Sequence, residues 1–340
     1  MMPAVSAMLR RSCMAILLTA ALPGGAAVFQ ESFATDPFAH GWRTFGDPSL
    51  FVWSAANQNL EVTWDSSRNN SFFFLPLGTI VTKSDDFIFS FDVRLRDIRL
   101  GNTPGKTNEF EIAIGLLNYT NATNANAFRG AGQSATYGVR NVVEFDYFPD
   151  AGFGETFATT VVSTNNRIYP AHSFPLAMTL GDTFRITFSY SASNQLLRTT
   201  ATKNGSPFGL PPNNALPDLS LNGKQDFRVD SFAIISYSDA VQTGPPAFYG
   251  SVLAHGFVDN VQITVPAPPV SDLRLNFSHS AWSANFVSAT NWTYVLERSA
   301  DLVLWTAAAP IVAGNGAALS LQDVDPPAAR AFYRVRAERP

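Results

Sequence analysis

The strongest constraint on the fold is a strict alternation of apolar and polar side chains in the segment from Phe87 to Leu95. Every second residue is Phe, Val or Leu, and most residues between them are polar or charged. Because successive side chains of a β-strand point to opposite faces, this pattern predicts a half-buried strand. The segments from Phe110 to Leu116 and from Thr183 to Ser191 repeat the pattern and predict two more strands.

The composition favours an all-β protein. The chain has 340 residues, of which 46% are hydrophobic, 13% aromatic and only 15% charged, with 22 Gly and 22 Pro. Aromatic residues favour strands, Gly and Pro favour turns, and no long stretch has the pattern of a helix. The strand spacing, together with the hairpin turn predicted at Asn204-Gly205, indicates a two-sheet antiparallel sandwich.

A Pro-rich segment from Val265 to Val270 predicts a linker between two domains. We expect the first domain at residues 28–265, the linker at 266–270 and a small β-sandwich at 271–340. Strands of this second domain are predicted at Leu273 to Phe277, Trp282 to Val287, Tyr294 to Arg298, Ala318 to Leu321 and Phe332 to Arg336.

The first 27 residues have the pattern of a secretory signal peptide. Arg10 and Arg11 precede an apolar run that is too short to span a membrane, and small residues up to Ala27 follow it. The alternative is an apolar strand at this position. The signal peptide predicts a secreted or cell-surface protein, without membrane insertion. Cys13, the one cysteine, lies in this segment, so the mature chain would lack cysteine.

The charge of the chain disfavours nucleic acid as a partner. Cleavage after Ala27 would remove two arginines and no acid, which changes the formal net charge from -4 to -6. A mildly acidic chain without a run of Lys and Arg is a poor match for nucleic acid or anionic membrane. A neutral partner such as a glycan or polysaccharide fits better.

Acidic residues lie on one face of a predicted strand in the segment from Val142 to Asp150. Glu144, Asp146 and Phe148 share that face, and two such carboxylates would be roughly 6–7 Å apart. They repel each other unless a cation, a shared proton or open water intervenes. Three alternatives remain: the carboxylates bind metal, act in catalysis, or line a solvated concave face and bind nothing.

The chain resembles the concanavalin A-like lectin and glucanase superfamily, which includes laminin-G-like jelly rolls. The resemblance covers residues 28–265 and rests on Lys203-Asn204-Gly205, on the closing strand Val258 to Ile263 and on the Val142 to Asp150 motif. It implies a jelly-roll sandwich. The segment from Tyr294 to Leu302 and the terminal Phe332-Tyr333-Arg334-Val335 resemble a fibronectin-III-like module of bacterial secreted proteins.

The resemblance implies calcium. Legume-type lectins hold calcium and a transition metal through a Glu-x-Asp-x-Tyr/Phe-x-Asn/Asp pattern, followed by an acidic residue and a histidine. The matching oxygen ligands here are Glu144, Asp146, the carbonyl of Phe148, Asp150 and Glu155. Carboxylates and carbonyls suit a hard cation such as calcium. Thr160 occupies the histidine position, and Glu155 stands where the family has Asp.

A second calcium candidate is the pair Glu31 and Asp259, because related jelly rolls join their first and last strands through calcium at such residues. The alternative is that both are ordinary surface residues. The histidines, at positions 40, 172, 255 and 279, have no ligand spacing.

The leading hypothesis is a secreted, non-catalytic carbohydrate-binding or cell-surface adhesion protein. Its site would be the concave sheet with the polar loop from Asn118 to Gly138, and the C-terminal module would be a spacer. Trp42, Trp53 and Trp64 either stack on sugar rings or belong to the core.

One alternative function is a polysaccharide hydrolase or lyase. Laminarinase-type glycosidases, which the motif also resembles, place a general acid/base where this chain has Phe148 or Pro149. Another alternative is a structural envelope protein without a small ligand.

Overall fold

The protein is all-β throughout the part of the chain that the structure describes. The computed structural model describes residues 26–100, 111–125, 127, 138–149, 154–238, 252–278, 280–327 and 331–340. Residues 1–25 of the predicted signal peptide, Asp150 and a large part of the predicted polar loop therefore lie outside the described residues. A single α-helix, α1, spans Tyr119–Ala122, and short 3-10 turns span Pro37–His40 and Pro48–Leu50 in the described chain.

The described residues of the first unit form sixteen strands. They are β1 Ala26–Glu31, β2 Arg43–Phe45, β3 Phe51–Ser54, β4 Asn59–Asp65, β5 Ser71–Thr82, β6 Phe87–Leu100, β7 Ile112–Leu117, β8 Val142–Phe148, β9 Thr156–Val162, β10 Ile168–Ser173, β11 Phe184–Ser191, β12 Leu196–Lys203, β13 Ser206–Phe208, β14 Leu219–Ser220, β15 Arg228–Ser236 and β16 Val252–Pro266. The last two residues of the predicted signal peptide, Ala26 and Ala27, pair with Pro266 and Val265.

These strands form two antiparallel sheets. The nine-stranded sheet has the order β13-β12-β11-β6-β16-β4-β3, with β1 beside β16 and β14 beside β12. The seven-stranded sheet has the order β10-β9-β8-β7-β15-β5-β2. The predicted two-sheet sandwich is confirmed, and the first and last strands of the unit, β1 and β16, are paired along their whole overlap.

Aromatic side chains fill the space between the two sheets. Phe89 and Phe91 of β6 contact Phe232 of β15 and Phe145 of β8, with ring centroids 5.7 and 6.0 Å apart. All four rings are buried. The alternation that predicted β6 therefore places its Phe residues in the core, where large aromatic side chains contribute most to stability.

The hairpin predicted at Asn204-Gly205 is confirmed. Asn204 and Gly205 have φ values of 50° and 83°, and they connect β12 to β13. Positive φ at both central residues is the conformation that a tight hairpin turn requires. β8 also pairs with β9 along its whole length, from Val142 to Phe148.

An irregular pairing interrupts the seven-stranded sheet between β15 and β5. Val229 pairs with Val81 while Ser231 pairs with Pro76, so Asp230 faces the segment 77–80. Bulges of this kind re-aim side chains and are common beside binding sites. Gly78 in this segment has a φ of 69°, which only glycine adopts without strain.

The described residues of the C-terminal module form seven strands. They are β17 Val270–Ser278, β18 Ala281–Ser288, β19 Thr293–Ser299, β20 Thr306–Ala307, β21 Val312–Ala313, β22 Ala318–Asp323 and β23 Phe332–Glu338. They form a three-stranded sheet, β17-β18-β22, and a four-stranded sheet in which β19 pairs with β20, β21 and β23. All five predicted strands are present. Only residues 267–269 separate β16 from β17, so the strands extend further into the Pro-rich segment than the sequence suggested.

The C-terminal module contacts the first unit through its last residues. Arg339 forms a salt bridge with Asp85, with nitrogen–oxygen distances of 2.6 and 3.0 Å, and donates to the Ile80 carbonyl. Both charged side chains are largely buried. Arg228 donates to the carbonyls of Arg339 and Pro340. In the described part of the chain, no helix has the length and apolarity to cross a membrane.

Candidate functional site

The acidic strand lies in the middle of the seven-stranded sheet. Phe145 and Tyr147 of β8 point into the core, and Glu144 and Asp146 therefore point to the outer face. On the neighbouring strand, Gly115 lies opposite Glu144 and Ala113 lies opposite Asp146. These small residues leave room on the outer face for both carboxylates.

A third carboxylate joins them. Glu111 immediately precedes β7. One carboxylate oxygen from each of Glu111, Glu144 and Asp146 lies within 4.8 Å of the other two. We call these three residues the acidic trio. The side chains of the trio are 3%, 0% and 0% exposed. The expectation that Glu144 and Asp146 could line a solvated face is therefore wrong.

Two hydroxyl groups support the acidic trio. The Tyr237 hydroxyl donates to Glu144 Oε2 at 2.9 Å, and the Thr160 hydroxyl donates to Asp146 Oδ2 at 2.5 Å. Thr160 occupies the position where the lectin pattern has a histidine. Here it is a hydrogen-bond donor to the trio, which orients Asp146.

The donor set of the acidic trio fits a hard cation. Calcium binds oxygen ligands at about 2.3–2.6 Å, so oxygens within 4.8 Å of one another can contact the same ion. The set contains no nitrogen or sulfur ligand, which matches calcium better than a transition metal.

One of the other predicted ligands, Glu155, is not part of this cluster. Phe148 is at the end of β8 and is half-buried, and Glu155 precedes β9 without joining the trio. Asp150 lies outside the described residues. Of the predicted set, the structure brings together Glu144 and Asp146 and adds Glu111.

The second predicted pair, Glu31 and Asp259, is occupied by protein partners. Glu31 accepts from the Phe33 amide at 2.7 Å and contacts His40 Nδ1 at 2.9 Å. Burial raises the pKa of Asp259, and the charges of Asp92 and Glu31 raise it further. Within the described chain, no third metal-ligating side chain joins this pair.

Two of the three candidate tryptophans belong to the core. Trp42 and Trp64 are 2% and 1% exposed, and Trp42 stacks on Phe73 with centroids 5.0 Å apart. Trp53 is half-buried and donates its indole N–H to the Phe33 carbonyl. None of them offers an open ring face on the outer side of the seven-stranded sheet.

An aromatic platform on the outer face of that sheet is instead provided by Tyr119. Tyr119 is 37% exposed, and its ring stacks on Phe74 of β5 at 4.7 Å with Phe45 of β2 edge-on at 6.3 Å. It lines an open cavity of about 590 Å³, together with Arg43 and Asp230. We call this cavity the cleft. Its volume is in the range typical of small-molecule sites.

Asp230 is the acceptor at the wall of the cleft. Its carboxylate accepts from the Tyr119 amide at 2.9 Å, the Ser231 hydroxyl at 3.0 Å and the Asn118 amide group at 3.2 Å. A carboxylate offers about four acceptor sites, so one is available to a ligand hydroxyl. Burial raises the pKa of Asp230, and the hydrogen bonds from Tyr119 and Ser231 oppose that effect.

Sequence reasoning missed Glu111, Tyr119 and Asp230 for different reasons. The alternation from Phe110 to Leu116 puts Glu111 on the same face as Gly115, and this signal was available. Tyr119 belonged to a segment that was predicted as a polar loop. Asp230 depends on the bulge opposite residues 77–80, which has no local sequence pattern.

Comparison with known proteins identifies legume lectins among similar solved structures. Peanut lectin with a 9mer peptide is 13% identical with a TM-score of 0.43, covering 72% of this chain and 99% of that chain. Winged bean acidic lectin complexed with methyl-α-D-galactose is 10% identical with a TM-score of 0.42, covering 71% and 99%. Lectin II from Ulex europaeus is 12% identical with a TM-score of 0.41, covering 71% and 99%. Because the sequence identities and TM-scores are low, no residue of this chain takes a role from these structures.

No protein-family model matches the chain, and no curated protein matches it.

Proposed function

We propose that this chain is a secreted or cell-surface protein that binds carbohydrate without chemical turnover. The observation that carries the proposal is the pairing of Tyr119 with Asp230 in the cleft. A flat aromatic ring fits the apolar face of a pyranose, and a carboxylate accepts hydrogen bonds from its hydroxyls. Tyr119 and Asp230 are adjacent in space because the Tyr119 amide donates to Asp230.

Burial of the acidic pair weighs against a glycosidase. Glu144 and Asp146 are both fully buried, so a polysaccharide chain has no direct access to them. Retaining hydrolysis needs two carboxyl groups about 5–5.5 Å apart on either side of the sugar, with one of them as the acid. Thr160 and Tyr237 donate hydrogen bonds to this pair, which is an arrangement suited to holding the carboxylates in place.

The acidic trio is proposed as a structural calcium site. Its oxygen-only donor set and burial support this role, and the site would stabilise the sheet that carries the cleft. Glu111, Glu144 and Asp146 would contribute the protein ligands. Export, a bacterial source and the fibronectin-III-like nature of the C-terminal module are parts of the same proposal and rest on the sequence patterns.

A glycan array with the full-length mature chain, read with calcium and with chelator, tests the proposal. It is combined with a reducing-sugar release assay on mixed polysaccharides. We expect specific binding without sugar release, and we expect Tyr119→Ala to abolish binding while the melting temperature changes little. Val52→Ala, on an exposed residue of the opposite sheet, is the matched control.

Other outcomes identify the alternatives. Sugar release that Glu144→Gln abolishes would indicate a polysaccharide hydrolase or lyase. Neither binding nor release would indicate a structural envelope protein. Binding that survives Tyr119→Ala would place the sugar site elsewhere on the molecule.

A further inference from the structure

The cleft has a second wall, which comes from the C-terminal module. Besides Tyr119 and Asp230, the cleft is lined by Pro269, Ala337 and Trp292, which is 7% exposed. Trp292 precedes β19 and Ala337 is near the end of β23. The cavity is thus enclosed by residues that are far apart in sequence, on both sides of the Pro-rich segment.

The floor of the cleft contains an unsatisfied hydroxyl. Thr79, in the bulged segment of β5, lines the cavity and is 5% exposed. Its Oγ1 is buried and has no hydrogen-bond partner among the described residues. A buried hydroxyl without a partner costs free energy, and rotation about χ1 would let it meet a hydroxyl of a bound ligand.

The salt bridge between Asp85 and Arg339 holds the second wall in position. Arg339 follows β23 directly, and its guanidinium lies 5.8 Å from the ring centroid of Trp292. The same guanidinium donates to the Ile80 carbonyl, one residue after Thr79. A single side chain therefore connects the Trp292 wall to the Thr79 floor.

We propose that the C-terminal module forms part of the carbohydrate site, with a pyranose stacked on Tyr119 of the sheet and enclosed by Pro269, Ala337 and the small exposed part of Trp292. This inference rests on the proposed function and replaces the expected role of the module as a spacer. Asp230 and Thr79 are the polar groups that meet ring hydroxyls, which favours a neutral sugar with adjacent hydroxyls. An anionic sugar would be repelled by the Asp230 carboxylate unless the positive charge of Arg43 offset that repulsion.

The test measures the affinity of the full-length chain for the best glycan from the array, by calorimetry. Thr79→Val keeps the shape of the side chain and removes the hydroxyl, and we expect a loss of roughly fivefold, as for one hydrogen bond. Trp292→Phe reduces the wall. The double variant Asp85→Asn with Arg339→Gln removes the salt bridge without leaving a lone charge, and we expect a loss of roughly tenfold or more in both cases.

Arg334→Gln is the matched control. Arg334 pairs with Glu297 inside the module and does not line the cleft, so its loss should leave the affinity unchanged. The melting temperature of each variant shows whether it folds. If Trp292→Phe fails to fold, Thr79→Val serves as the test.

The outcomes separate this inference from the proposed function. If Tyr119→Ala abolishes binding while Thr79→Val and the double variant retain wild-type affinity, the sheet binds sugar alone and the role of the module is overturned. If no glycan binds the wild-type chain, the proposed function fails and this inference fails with it. If a Pro-rich or aromatic peptide binds the cleft and sugars do not, the partner chemistry is wrong.

Discussion

Gly115 lies opposite Glu144 so closely that a methyl group has no room between the two strands. A Cβ atom on Gly115 would be 2.4 Å from the Val143 carbonyl oxygen and 2.5 Å from Glu144 Cα. These contacts are with backbone atoms, which cannot rotate away. The position of a central carboxylate of the acidic trio thus depends on a glycine in the neighbouring strand.

We predict that Gly115→Ala lowers the free energy of unfolding by about 3 kcal/mol, at the upper end for an overpacked site. Chemical denaturation measures it. Gly223→Ala is the control, because Gly223 has a φ of 68° but nothing within 4 Å of an added Cβ. It should cost only the roughly 1–2 kcal/mol of a left-handed non-glycine residue. Equal losses for the two variants would contradict the close approach of β7 and β8.

Calcium should stabilise the protein through the acidic trio. Binding to the folded state alone adds about 2.7 kcal/mol at a hundredfold excess over Kd, so the melting temperature should rise with calcium and fall with chelator. Glu111→Gln and Asp146→Asn should each remove this response. Glu155→Gln is a matched control, because Glu155 belongs to the predicted ligand pattern but not to the trio. A response that persists in Asp146→Asn, or is lost in Glu155→Gln, would contradict the assignment.

The fold was more predictable than the site for a physical reason. Alternation within one strand reports which face is buried, and it located β6, β8, β11 and the five predicted strands of the module. The trio and the cleft depend on which strands become neighbours. The register that puts Gly115 opposite Glu144, and the bulge that places Asp230 at the cleft, are set by contacts distant in sequence.

The raised pKa of Asp230 predicts opposite effects of pH on binding and on stability. A ligand hydroxyl requires the ionised carboxylate, so the affinity for glycan should fall as pH falls through the raised pKa. Because the folded pKa lies above the unfolded value, the stability that protonated Asp230 contributes is present at low pH and is lost as pH rises through the folded pKa. Denaturation of wild type and Asp230→Asn between about pH 3 and pH 7 measures this.

As pH rises, Asp230→Asn should become more stable relative to wild type. The variant should bind glycan weakly at every pH. Asp218→Asn is a control, because Asp218 is an exposed acid whose partner is Arg198. A stability difference that is independent of pH would contradict the assigned burial of Asp230.

The salt bridge between Asp85 and Arg339 should control access to residues 267–269, which join the two parts of the chain. The Asp85 and Arg339 side chains are 12% and 6% exposed. Breaking a buried pair leaves an uncompensated charge, so Arg339→Ala should lower stability by about 3 kcal/mol. Freed from Asp85, the module should also expose the connecting segment to proteolysis, because cleavage requires local opening.

Limited digestion with a broad-specificity protease, followed by mass spectrometry, should show faster cleavage near residues 267–269 in Arg339→Ala than in wild type. Arg334→Ala, which breaks a pair within the module, should leave the rate of this cleavage unchanged. Equal rates in wild type and Arg339→Ala would show that the salt bridge does not hold the module against the first unit.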